Sequence, residues 1–294
     1  MVEYVALMGT GLMGAPIARN LARSGFPVTV WNRTASKAAP LADEGIAIAS
    51  SAIEAVDRAD LVIFLLSDGP TTSEALFGAD GAARAMRPGA IVAMMSSISP
   101  DTATEQAGRL AELGIDYIDA PVSGGERGAI ARALTIFAGG PARSIDAARP
   151  ALDVLGRVNR VGGVGAGQLV KLANQMIVGI SIEAIAEALL LIERGGGDPD
   201  AAFDALKGGF ADSTVLRQHG RRMLALDHTP GATIATQRKD LRMATGLAAK
   251  LSLSLPLLDQ AAALYEQAAH GPDSGLDHSA IHRTLRAQQR DRSE

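Results

Sequence analysis

Short apolar runs recur through the first 140 residues: Tyr4-Val-Ala-Leu-Met8, Val28-Thr-Val-Trp31, Leu61-Val-Ile-Phe-Leu-Leu66 and Ala90-Ile-Val-Ala-Met94. Turn-forming residues bound them, and such runs read as strands covered on both faces. Helical stretches lie between them, at 15–24 (with Gly25 suited to the C′ position), around 37–44 and at 100–113. Residues 116–119 and 134–138 read as two further strands. Buried strands alternating with helices predict a parallel sheet.

The pattern changes near residue 163. Val161-Gly-Gly-Val-Gly-Ala-Gly167 is rich in glycine, and residues 168–193 then show helical periodicity with no proline or turn signal. At 1.5 Å per residue that helix is about 40 Å long. Everything beyond reads as helix and turn, with helices at 199–207, 213–226, 238–251, 256–269 and 279–289. The expected organisation is an α/β domain over 1–163 and an all-α domain over 164–294, joined by the long helix.

Composition narrows the classes. The chain has 294 residues, 47% hydrophobic and 20% charged, with 28 Lys+Arg against 32 Asp+Glu and a net charge of −4. That is too apolar for a disordered chain and ample for a large core. The acidic balance argues against a nucleic-acid partner. No cysteine is present, which excludes disulfides, thiolate metal sites and a Cys nucleophile; no metal is expected. The start lacks the basic segment of an export signal. The longest apolar stretch, 176–192, is interrupted by Glu183 and Glu187 and reads as a buried helix, so no membrane partner is expected and the cytoplasm is the default compartment. Lysine occurs only at 37, 171, 207, 239 and 250, and all five histidines follow residue 218.

Gly9-Thr-Gly11-Leu12-Met13-Gly14 has G-x-G-x-x-G spacing after a strand and before a helix. In that setting the first glycine makes the turn, the second admits a pyrophosphate to the backbone, and the third lets helix and strand pack closely. The domain therefore reads as a Rossmann-type dinucleotide-binding fold. Where an NAD site commonly carries an acid after its second strand, this chain has Asn32-Arg33-Thr34, suited to a 2′-phosphate, so NADP is preferred and NAD possible. The alternative is a surface arginine beside a tolerant NAD site. Leu66-Ser67 lies where a cofactor ribose belongs and Ser97 where a nicotinamide belongs, although both loops equally suit helix capping.

Ser123-Gly124-Gly125 follows a strand and offers a hydroxyl and backbone N–H groups to a carboxylate; by composition alone it is equally a turn. Lys171 lies about one turn into the long helix, in apolar sequence, with Asn174 and Gln175 on the same face. The positive end of that helix is expected to lower the lysine pKa. Lys239-Asp240 could be a surface pair.

The glycine loop, Asp119-Ala-Pro-Val-Ser-Gly-Gly125, Gly165-Ala-Gly-Gln-Leu-Val-Lys-Leu-Ala-Asn-Gln175, Lys239-Asp-Leu241 and Leu276-Asp-His-Ser-Ala280 together resemble the β-hydroxyacid dehydrogenases. These motifs span nearly the whole chain in the family's order. Lys171-Leu-Ala-Asn-Gln175 and Gly208-Gly-Phe-Ala-Asp-Ser-Thr-Val-Leu216 look most like the branch that reduces tartronate semialdehyde. The resemblance implies a 6-phosphogluconate dehydrogenase-like architecture and an NAD(P)-dependent reductase of a small carboxylate substrate. It makes Lys171 the proton donor, with Asn174 and Gln175 at the substrate and Ser123, Gly124 and Gly125 at its carboxylate. It puts Ser97 and Lys239 at the cofactor, beside the residues that the glycine loop and strand ends already suggest there: Gly9, Gly11, Leu12, Met13, Gly14, Asn32, Arg33, Thr34, Leu66 and Ser67. It also implies a homodimer or homotetramer built largely on the helix from Gln168. Two positions depart from the family's pattern: Met94, where an Asp is frequent, and Arg33, where several relatives carry an acid. Dehydrogenases of 3-hydroxyisobutyrate, succinic semialdehyde, glyoxylate or threonate remain alternatives within the family. Imine reductases commonly lack the lysine. A non-catalytic dinucleotide sensor and a His-dependent dehydrogenase are rivals of other kinds.

Overall fold

The computed structural model describes residues 2–291. The chain divides into two compact units, Met1–Lys171 and Leu172–Glu294. The dividing point lies inside the long helix, a few residues beyond the glycines at which the sequence reading set it.

The first unit is built on a nine-stranded sheet. Strands β1 (Val5–Met8), β2 (Val28–Trp31), β3 (Ala47–Ile48), β4 (Leu61–Phe64), β5 (Ile91–Met94) and β6 (Asp116–Asp119) are followed by β7 (Val122–Ser123), β8 (Leu134–Gly139) and β9 (Gly156–Gly162). The order is β3-β2-β1-β4-β5-β6-β8-β7, with β9 on β8. The first six are mutually parallel; β8 runs antiparallel to β6 and β7.

The unbroken hydrophobicity of the central strands has a direct cause. Val5, Leu7, Leu61, Ile63, Ile91 and Ala93 enter one buried cluster, while Ala6, Met8, Val62, Phe64, Val92 and Met94 enter another. Successive side chains point to opposite faces, and both faces are covered. Met94 is fully buried in the second cluster.

The helices of this unit are α1 (Gly14–Arg23), α2 (Ala52–Val56), α3 (Gly69–Phe77), α4 (Pro100–Ala111), α5 (Gly125–Ala131) and α6 (Ala142–Leu152). Ser51, Asp68 and Ser99 cap α2, α3 and α4, each accepting a backbone N–H from three residues on. The helical material expected around 37–44 consists of two short 3₁₀ helices, Ala35–Lys37 and Ala39–Glu44.

Helix α7 (Ala166–Arg194) has 29 residues, about 43 Å. One stripe of it is buried and the rest is half-buried or exposed. It is long and apolar enough to cross a membrane by length and composition, yet only 33% of its most apolar window is buried. Ile182, Ala186, Leu189 and Leu190 form a buried stripe, whereas Leu169, Ile177 and Leu191 are exposed. Glu183 interrupts the stretch less as a charge than the sequence implied, because burial and then Glu187 raise its pKa to about 7.

The second unit adds α8 (Pro199–Leu206), α9 (Arg221–Leu224), α10 (Ile234–Lys250), α11 (Pro256–Ala269) and α12 (Ile281–Asp291). Leu241, Tyr265 and Ile281 pack with the α7 stripe in one core. The helix expected over 213–226 forms from 214 to 224, with a π-helical segment, Leu216–Gly220, continuing into α9. Gly220 sits where a Cβ would lie 3.1 Å from the Phe203 ring.

Candidate active site

Parallel strands deliver their C-terminal ends to one edge of the sheet, where ligands of such folds gather. The Gly9 loop follows β1, Asn32 follows β2, Leu66 and Ser67 follow β4, and Ser97 follows β5. Gly9 has φ of +109°, and a Cβ on Gly14 would stand 1.9 Å from the Gly9 carbonyl oxygen. Gly11 faces open space and Leu12 is exposed. Met13 precedes α1, whose first turn has neither a side-chain cap nor an acid. The buried Thr10 hydroxyl has no hydrogen-bond partner among the described residues. Unsatisfied N–H groups at a helix start, a glycine open to close approach and an orphaned hydroxyl fit a dinucleotide pyrophosphate.

Asn32 braces this loop. Its Oδ1 accepts the Thr10 N–H at 3.0 Å and its Nδ2 donates to the Thr34 carbonyl at 2.9 Å. Arg33 and Thr34 are exposed, and Arg33 has no ion pair or side-chain hydrogen bond among the described residues. Ser67 Oγ donates to Asp68 and Thr71 at the start of α3.

Three residues to which the sequence reading gave no role tie this edge to α7. Ser96 Oγ accepts the Leu66 N–H at 2.7 Å. Gln168 brackets Ser97: its Nε2 donates to the Ser96 carbonyl at 2.9 Å and its Oε1 accepts the Ile98 N–H at 3.1 Å. The Asp119 carboxylate, fully buried, accepts the N–H groups of Gly165 and Gln168, each at 2.8 Å. Burial pushes the Asp119 pKa up, opposed by hydrogen bonds from backbone N–H groups. A polar residue ending an apolar strand, and an amide just after Gly-Ala-Gly, were the sequence signals available.

Lys171 follows one turn after Gln168 and is 8% exposed, where an isolated helical lysine is ordinarily solvated. Ser123 is half-buried at the end of β7, paired with Thr135 of β8. Gly124 (φ +124°) and Gly125 (φ +60°) then turn the chain into α5.

The second unit contains Asn174, Gln175 and Lys239. Asn174 Nδ2 donates to Gln175 Oε1 at 3.0 Å, and Gln175 Nε2 donates to Asp240 Oδ2 at 2.8 Å. Lys239 Nζ lies 3.1 Å from Asp240 Oδ1. Asp240 is buried, so Lys239-Asp240 joins an internal network rather than forming a surface pair. Elsewhere in this unit, ligand atoms of His219, Asp277 and His278 lie within 4.8 Å of one another. Asp277 is already engaged there by Arg222 at 3.0 Å and by the Ser279 N–H at 3.0 Å.

This fold and glycine loop define an NAD(P)-dependent oxidoreductase. Residues 4–165 match the family described as the NAD binding domain of 6-phosphogluconate dehydrogenase. Residues 165–285 match that described as "NAD-binding of NADP-dependent 3-hydroxyisobutyrate dehydrogenase". The chain is 39% identical to the 2-hydroxy-3-oxopropionate reductase of Escherichia coli (strain K12) over 286 residues, 96% of each chain. It is 35% identical to the L-threonate dehydrogenase of Cupriavidus necator over 283 residues, covering 96% of this chain and 95% of that one. A solved 3-hydroxyisobutyrate dehydrogenase of Mycobacterium tuberculosis with L-serine superposes with a TM-score of 0.88 at 32% identity, covering 97% of this chain and 100% of that one. The chain belongs to the β-hydroxyacid dehydrogenase family.

Proposed function

We propose that this protein is an NADP-preferring reductase of small semialdehyde acids, with tartronate semialdehyde (2-hydroxy-3-oxopropanoate) as its best substrate and Lys171 as proton donor. The observation that carries the reading is the placement of Lys171. It is a buried amine one turn beyond Gln168, whose side chain brackets Ser97. The 39% identity to a 2-hydroxy-3-oxopropionate reductase supports the substrate class. The 35% identity to an L-threonate dehydrogenase makes four-carbon sugar acids the second reading.

Gly9, Gly11 and Gly14, with the N–H groups of Leu12 and Met13, would hold the pyrophosphate. Arg33 and Thr34 would hold a 2′-phosphate, while Leu66, Ser67, Ser97 and Lys239 would complete the cofactor's surroundings. When bound, the dinucleotide supplies or accepts a hydride. Reduction of a carbonyl leaves negative charge on its oxygen, and the Lys171 ammonium meets that charge and gives a proton to the oxygen. Asn174 and Gln175 orient the substrate. Ser123 and the backbone N–H groups of Gly124 and Gly125 hold its carboxylate, and the Lys171 charge draws in the anion.

The exposed apolar residues of α7, Leu169, Ile177 and Leu191, suit burial against a second copy. We assign a homodimer or homotetramer, in the cytoplasm. NADPH oxidation across a panel of aldehyde and keto acids tests the reading. Tartronate semialdehyde is expected to give the highest kcat/KM, with propanal at least about 100-fold lower for want of a carboxylate (about 2.7 kcal/mol, within the range for a hydrogen bond to a charged group). Comparable turnover of propanal refutes the carboxylate site.

A further inference from the structure

We infer that Asp119 is a positioning residue for the proton-transfer step: its carboxylate fixes the first turn of α7 and offsets the positive end of that helix, holding the Lys171 amine in place and protonated. The inference rests on the reading of Lys171 as donor.

Helix α7 has no acidic residue in its own first turn. Its start would present unsatisfied N–H groups and a positive dipole end to a buried ammonium, disfavouring the charge. Asp119 supplies the missing acid from the end of β6. Oδ1 takes the Gly165 N–H and Oδ2 the Gln168 N–H, both at 2.8 Å. Two glycines pack against this carboxylate and the backbone around it. A Cβ on Gly139 would lie 2.6 Å from Oδ1, and one on Gly167 would lie 2.8 Å from Oδ2.

Among the described residues, no cation pairs with Asp119. The titratable group coupled to it is the Tyr117 phenol on the same strand, which burial and then Asp119 push well above its usual range. Both carboxylate oxygens are hydrogen-bonded to the backbone turn that precedes Lys171. Gln168 connects the same turn to Ser96 and Ile98. One displacement of Asp119 would thus move both the donor and the loop carrying Ser97. This reverses part of the sequence expectation, in which the bare helix end lowers the lysine pKa.

The chain has only five lysines, so the lysine side-chain carbons in ¹³C-lysine-labelled protein can be followed singly by NMR, with Lys171→Arg assigning the peak. The protein without substrate needs no turnover for this readout. Lys171 is expected to titrate about one unit lower in Asp119→Asn than in the unaltered protein, the small end of the shift caused by a nearby opposite charge. The basic limb of the kcat profile should move down by the same amount, with kcat falling about ten-fold or more and KM for NADPH changing little. A Lys171 that titrates below pH 7 in the unaltered protein overturns the inference without recourse to any variant. An unchanged Lys171 titration in a folded Asp119→Asn protein also overturns it. If Lys171→Ala keeps its activity, the reading of Lys171 as donor fails, and the inference falls with it even where the NMR shift is seen.

Discussion

A Cβ on Gly14 would stand 1.9 Å from the carbonyl oxygen of Gly9, whereas one on Gly11 would meet nothing within 4 Å. Two glycines of one motif therefore serve different ends, one the packing of the loop and the other access to it. Gly14→Ala must push the loop or α1 aside, and it should destabilise the protein by roughly 1–3 kcal/mol, as overpacked sites do. Gly11→Ala should leave the melting temperature unchanged and weaken NADPH binding about ten-fold or more, about 1.4 kcal/mol. Thermal unfolding and calorimetric titration of both variants separate the two effects. A Gly11→Ala protein with unaltered NADPH affinity would place the pyrophosphate elsewhere.

Arg33 is exposed and unpaired among the described residues, so no internal partner competes with a phosphate for it. A charge-assisted contact of this kind contributes roughly 1.5–3 kcal/mol, or about ten- to a hundred-fold in favour of NADPH over NADH. Arg33→Asp should abolish or invert that ratio. Equal kcat/KM for the two cofactors in the unaltered protein contradicts the assignment.

The second unit should be acid-sensitive through His282. This residue is 4% exposed, and neither ring nitrogen has a hydrogen-bond partner among the described residues. Burial first, then Arg286, lowers its pKa to about 4. The folded pKa is below the unfolded one, so the neutral form is favoured on folding. The stability is intact above about pH 6.5 and is lost as pH falls toward 4. The difference corresponds to about 3 kcal/mol. Burial likewise lowers the His228 pKa and adds to the same trend. Urea unfolding at pH 7, 5.5 and 4.5 should show a smaller loss in His282→Leu than in the unaltered protein. Parallel losses would mean that His282 takes up its proton as readily in the folded state.

The α/β framework was legible because each central strand feeds two cores and is apolar throughout, and because the glycine loop sits between a strand and a helix. β2, β6 and α11 fall at the expected residues. Short or polar elements escaped. β9 reads Gly-Arg-Val-Asn-Arg-Val-Gly and lies on the sheet beside β8, a composition that gives little strand signal. Which side of α7 is buried was not legible, because hydrophobicity alone does not distinguish a core-facing side chain from an exposed one. The edge proposed to hold the cofactor could be picked out from residue types in local order. The frame behind it could not, since Asp119 to Gln168 and Gln168 to Ser96 are contacts between residues 49 and 72 positions apart. Only the folded chain brings those groups together.

Lys171 remains the centre of the account. Single-turnover reduction of tartronate semialdehyde by NADPH, compared among the unaltered protein, Lys171→Ala and Lys171→Arg, tests it most directly. Both variants should lose at least about a hundred-fold in the rate of the chemical step, the lower range for general-acid catalysis, with NADPH affinity within a few-fold of the original. Arginine keeps the charge but does not readily give up its proton. A Lys171→Arg protein that retains most of the rate would show that Lys171 only anchors the anion and that the proton comes from another group.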